Sequence, residues 1–166
     1  MRLNINTPRG QVALSYEQTL IHSIESHWPQ FHAVQTPKDQ PAEVDGFLIK
    51  ENELYAVFET KTRDCNLAQM NQWGNEWLLS FDKLMHGADI AKRLRIPFIG
   101  FLYLIKEPIA MSIKLADKEG NFIPKMRLER TTTKRNINGG EVIRTNAFID
   151  LSTANKFEII HDNSTI

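Results

Sequence analysis

Val44-Asp45-Gly46-Phe47 and Val57-Phe58-Glu59-Thr60-Lys61 place two carboxylates and an ammonium in an otherwise apolar pair of segments. Side chains alternate across a strand, so Glu59 and Lys61 share a face with Val57 and Tyr55, while Leu54, Ala56, Phe58 and Thr60 take the other. If the chain reverses about Asn52, antiparallel pairing sets Asp45 opposite Glu59. Two like charges opposed in a sheet destabilise it, and carboxylates crowded on a covered face need a compensating cation. Close oxygen ligands suit hard Mg2+ or Mn2+.

The flanking sequence supplies a setting for this hairpin. Ser15-Tyr16-Glu17-Gln18 has the form of a capping box, and Leu20, Ile21, Ile24 and Trp28 recur at helical spacing, which predicts a helix over 16–27 stopped at Pro29. Glu17 lies on the apolar stripe of that helix, and Glu25 is rotated off it. A short strand over 31–34 precedes the hairpin of 44–49 and 54–61. Beyond it, Asn66 can cap a long helix whose stripe runs Leu67, Met70, Gly74, Trp77, Leu78, Phe81, Leu84 and Met85, with Gly87 placed to end it. A shorter helix over 88–94 and an apolar strand over 96–105, covered on both faces and so central, complete a β-α-β crossover. After Pro108, strands are expected over 110–116 and 122–132 about the Glu119-Gly120-Asn121 turn, then over 141–151 after Asn138-Gly139-Gly140.

Asp45 on one strand and Glu59-Thr60-Lys61 on the next resemble the motif of the PD-(D/E)xK nuclease superfamily, with Val44 where a proline often precedes the aspartate. The resemblance implies an α/β, restriction-endonuclease-like core. Its central mixed β-sheet is flanked by helices in the order helix, strand, strand, strand, helix, strand, here with a C-terminal β-strand extension. It implies a divalent-metal-dependent DNA endonuclease, similar to the minimal cores of Holliday-junction resolvases and smaller restriction enzymes. Mg2+ or Mn2+ would be held by Asp45, Glu59, the Thr60 carbonyl and Glu17, the position resembling the first-helix glutamate of many members. Lys61 would orient or deprotonate water, or stabilise developing charge, and the sequence does not choose between these roles. Gln69 and Gln72 do not meet the glutamine-tyrosine spacing of the helicase-linked members, because Trp73 and Glu76 follow them four residues on.

Charge is segregated along the chain. Over 39–59 six acids stand against Lys50 alone, and over 125–135 five bases, Lys125, Arg127, Arg130, Lys134 and Arg135, stand against Glu129 alone. An acidic metal-binding segment and a basic phosphate-binding segment suit a nuclease, with Arg63 as a further phosphate contact. Overall, 20 basic and 20 acidic residues cancel, which argues against a protein that merely coats DNA.

The 166 residues fit one domain, 1–166. A single cysteine, Cys65, leaves no intrachain disulfide, and five histidines without ligand spacing argue against a zinc site. No signal core opens the chain and no apolar run approaches bilayer length, so an intracellular, cytoplasmic protein with no membrane partner is expected. Phosphate-loop, dinucleotide and serine-elbow motifs are missing. The partner expected is DNA, and a homodimer would let two sites cut two strands. The DNA structure cut stays open. Two other readings stand beside the nuclease: a noncatalytic DNA-binding or scaffolding domain of the same fold, and an α+β interaction protein whose hairpin carries a surface ion pair.

Overall fold

A computed structural model of the chain describes residues 6–40, 42–134 and 141–162, apart from the side chains of 133, 134 and 141. The chain opens with helix α1 (Pro8–His27), which starts a full two turns before the predicted capping box at Ser15. Thr7 is the cap: its hydroxyl accepts the Gly10 N–H at 3.1 Å, and Pro8 occupies the first turn, where a missing N–H costs nothing. Leu20, Ile21 and Ile24 are buried as the stripe predicts, and the helix ends ahead of Pro29.

Strands β1 (Phe31–Gln35), β2 (Gly46–Lys50) and β3 (Glu53–Arg63) follow as an antiparallel meander. The β2–β3 reversal uses Glu51 and Asn52, both at left-handed φ (52° and 63°), the backbone that matches strand twist in a two-residue hairpin. Gly46 pairs with Phe58, Phe47 with Val57 and Leu48 with Ala56, the predicted register, and an irregularity between Leu48 and Ile49 shifts the turn end by one residue. Asp45 lies one step beyond the last pair, its N–H donating to the Phe58 carbonyl at 3.1 Å.

The long helix expected after Asn66 is instead three elements: α2 (Leu67–Gln72), β4 (Glu76–Ser80) and α3 (Phe81–Leu94). Asn66 does form a capping box with Gln69, but Gly74 and Asn75 take positive φ (88° and 54°) and end the helical path. Gly87 does not stop a helix. It lies inside α3, and a Cβ there would stand 2.2 Å from the Phe98 ring, so the glycine lets the helix settle onto the sheet. β5 (Phe98–Leu104) runs parallel to β3, giving the predicted crossover and central position.

β6 (Ile109–Ala116) continues the sheet, but the hairpin expected about Glu119-Gly120-Asn121 shrinks to one bridge between Ala116 and Phe122. Asp117 takes the Glu119 and Asn121 N–H groups into a tight turn, and Pro124, which has no N–H, interrupts any continuing strand. β7 (Met126–Lys134) and β8 (Glu141–Asp150) therefore join β4 in a second sheet of order β4-β8-β7. β9 (Asn155–Glu158) returns to the first, whose order is β1-β2-β3-β5-β6-β9, with only the β3–β5 pair parallel.

The fold is α/β with a mixed sheet. One face of the large sheet packs Ala56, Phe58, Phe101 and Tyr103 against α1, and the other packs Val57, Phe98 and Leu102 with Leu84 of α3 and Trp77 and Ile149 of the small sheet. Among the described residues no helix is long and apolar enough to cross a membrane.

Phe98 is fully buried and has no room to yield, so Gly87→Ala should lower stability by about 1–3 kcal/mol. At an exposed helix position the same change would gain about 1 kcal/mol. Chemical denaturation measures the difference, and a neutral or stabilising result would refute this close approach of α3 to β5.

Candidate active site

Because α1 and α3 pack on opposite faces of β3, residues at its C-terminal half look toward both layers. Thr60 faces the α1 side with Phe58, and Glu59 faces the α3 side with Val57. The strand's end, the start of β2, the first half of α1 and the first turn of α3 enclose a cleft of about 520 Å³. Glu17, Asp45, Glu59, Thr60 and Lys61 all line it, so the residues singled out in the sequence for catalysis and metal binding meet in one place.

Each acid has a different environment. Asp45 Oδ2 accepts the Thr60 N–H at 2.8 Å and the Thr60 hydroxyl at 3.0 Å, which fixes the carboxylate against the strand that bears Glu59. Glu17 Oε1 takes the Gln35 amide at 3.0 Å and the Lys38 ammonium at 2.6 Å. Glu59 is only 3% exposed. Its Oε1 lies 3.3 Å from Lys83 Nζ, and its Oε2 is buried with no hydrogen-bond partner. Burial first and the Asp45 charge second push the Glu59 carboxyl up to about 7, against the opposing pull of Lys83 and Lys61.

Lys61 is solvent-exposed at the cleft mouth and makes no ion pair among the described residues. Crowding by the cleft walls pulls it below the ordinary lysine range and the Arg63 charge adds to the pull, both moderated by the water that reaches the residue.

Two cations of the cleft escaped the sequence reading. Lys38, on the loop between β1 and β2, stands between Glu17 and Asp45, reaching Asp45 Oδ1 at 3.8 Å. Lys83, in the first turn of α3, serves Glu59. Neither has a local sequence signal, because each meets its acid only through the tertiary fold.

The donor set suits a hard divalent cation through Asp45, just before β2, and Glu59 of β3. The orphaned Oε2 of a buried carboxylate needs a partner, and Asp45, which lines the same cleft and whose charge acts on Glu59, keeps Oδ1 free of the Thr60 bonds. Among the described residues no three His, Cys, Asp or Glu side chains gather closely enough to hold a metal between them, Glu17 being drawn to Gln35 and Lys38.

The predicted phosphate contacts are dispersed. Arg63 is half-buried and donates to the Thr62 and Leu78 carbonyls, fastening β3 to β4. Arg127 donates to both Glu76 oxygens, pairs with Glu129 and stacks over Phe148 at 3.9 Å. Both guanidiniums thus have structural partners in place of the free role expected. Lys125 and Arg130 are exposed, Lys134 ends β7, and Arg135 lies outside the described residues. Compared with known proteins, the chain gives no match to a family model, a curated protein or a solved structure.

A carboxyl raised from 4.5 to about 7 binds its proton more tightly folded than unfolded. Its contribution to stability is complete below about pH 4.5 and is lost as pH rises through about 7, a loss on the order of 3 kcal/mol. In EDTA, Glu59→Gln should therefore match the parent near pH 4.5 and exceed it in stability at pH 8. Thermal melts across that range test this, and a difference that does not change with pH would refute it.

Proposed function

We propose that the chain is a divalent-metal-dependent DNA endonuclease of restriction-endonuclease-like fold. The observation that carries this reading is the unpartnered Oε2 of buried Glu59, in a cleft that Asp45 and Lys61 also line. A surface ion pair, the blandest alternative, does not fit a carboxylate that is 3% exposed. The order of elements is compatible with the same reading: α1, β1, β2, β3, α3 and β5 follow the helix, strand, strand, strand, helix, strand sequence of the fold that the motif resembles, with α2 and β4 inserted between β3 and α3.

In this mechanism Asp45 and Glu59 would hold Mg2+ or Mn2+, with the Thr60 carbonyl and Glu17 as the further oxygens the motif implies. When bound, the cation supplies a lowered water pKa and neutralises charge on the scissile phosphate. The protein's own groups do the rest. Thr60, through its N–H and hydroxyl, keeps the Asp45 carboxylate from rotating. Lys83 holds one Glu59 oxygen and leaves the other free.

Lys61 lines the cleft and is open to solvent, the position from which it would act on the attacking water. Exposed Lys125 and Arg130 provide charge for the DNA backbone. A noncatalytic DNA-binding domain would have little use for two crowded carboxylates.

Incubation with duplex, single-stranded and branched DNA in Mg2+, Mn2+ or EDTA tests the reading. Cleavage should require the metal and fall at least about 100-fold in Asp45→Ala and Lys61→Ala, the scale of a lost acid–base group. Lys61→Arg should be as impaired as Lys61→Ala, because arginine keeps the charge and loses the proton exchange. No cleavage of any DNA, or cleavage that persists in EDTA, would contradict the proposal.

A further inference from the structure

Three acids, Glu17, Asp45 and Glu59, face three lysines, Lys38, Lys61 and Lys83, along the cleft, so with every group ionised its formal charge is zero. A dication bound there would compete for carboxylate oxygens that ammonium groups already hold, Lys38 on Glu17 and near Asp45, and Lys83 on Glu59. These cations are not equally free to give way. Lys61 extends from a central strand, and Lys83 belongs to a helix whose cap and packing hold it in place. Lys38 belongs to a loop, between Pro37 and Asp39, both exposed.

The partners of Lys38 are the fixed members of the arrangement. Glu17 extends from the middle of α1, and Asp45 is bonded to Thr60. The loop's own anchor lies at Thr36, whose hydroxyl donates to the Val44 and Asp45 carbonyls at 2.8 and 3.1 Å, so the loop stays fastened when the Lys38 side chain swings out. Lys38 occupies one oxygen of Glu17 and approaches Oδ1 of Asp45, the oxygen that Thr60 leaves available.

Resting on the metal-dependent reading above, we propose that Lys38 is a resident counter-ion which a divalent cation displaces from Glu17 and Asp45. This one loop side chain then sets how tightly the cleft takes metal. Its departure frees oxygens on two acids and removes one positive charge, which brings Glu17 into use only when the cation arrives.

Calorimetric titration of Mn2+ into the whole chain at pH 7 tests this with no reference to cleavage. Lys38→Met should bind at least about 10-fold more tightly than the parent, Lys38→Gln should do likewise, and Asp45→Asn added to Lys38→Met should abolish the gain. Parent and Lys38→Met binding Mn2+ equally, or the variant binding more weakly, would overturn the role of Lys38 and leave metal binding standing. Failure of both to bind would overturn the metal reading and this inference together. A second measurement needs no variant: amine labelling of the parent, read by mass spectrometry, should modify Lys38 faster when Mn2+ is saturating. An unchanged rate under saturating Mn2+ would show that Lys38 stays in place, contrary to the proposal.

Discussion

Burial of a carboxylate beside another carboxylate is the constraint on which the rest of the cleft depends. Glu59 stands on β3, which pairs on one side with β2 and on the other with β5, so its backbone has no freedom to carry the charge out to water. Opposite it in β5 is Gly100, over which the Trp77 ring packs, closing that side of the site with apolar surface. Water cannot relieve the charge, and the cations that partly do are Lys83 from α3 and Lys61 two residues along β3. A buried acid with one oxygen satisfied and the other orphaned is costly, and such a cost is retained where the group has work to do.

The architecture serves this arrangement. Parallel pairing of β3 and β5 requires a crossover, and the crossover delivers the N-terminus of α3 to the cleft with Lys83 in its first turn. Gly87 lets that helix approach Phe98, so the same contact that seats α3 also fixes how far Lys83 reaches. On the other face α1 packs Leu20, Ile21 and Ile24 on the sheet, and Glu17, one turn earlier on the same stripe, arrives at the cleft edge. The second sheet covers the α3 side and contributes Trp77 to the core.

What could be read from sequence was what depends on short-range periodicity. Alternation in β3 and a reversal near Asn52 were enough to set Asp45 next to Glu59, and the helical stripe put Glu17 on the inner face of α1. The stretch from Leu67 to Met85 misled because Trp77 and Leu79, alternating in β4, lie close to positions that also fit a helical stripe; the break is made by the backbone at Gly74 and Asn75, not by hydrophobicity. Ser15 carries the fuller capping-box pattern, while Thr7 and Pro8, where α1 does begin, hold a weaker signature. The basic segment over 125–135 looked free because Arg127's main partner, Glu76, is 51 residues away. Lys38 fell one residue outside the acidic window that begins at Asp39, and nothing local ties it to Glu17, 21 residues earlier.

On the metal-dependent reading, the orphaned oxygen of Glu59 is a metal ligand. The most direct measurement is an anomalous difference map from a crystal of the protein grown with Mn2+. A peak is expected bonded to Glu59 Oε2 and to Asp45 Oδ1 inside the cleft, with Lys38 turned away from Glu17. A map with no peak there, in a crystal where Glu59 Oε2 stays unbound or is satisfied by a protein group, would contradict it.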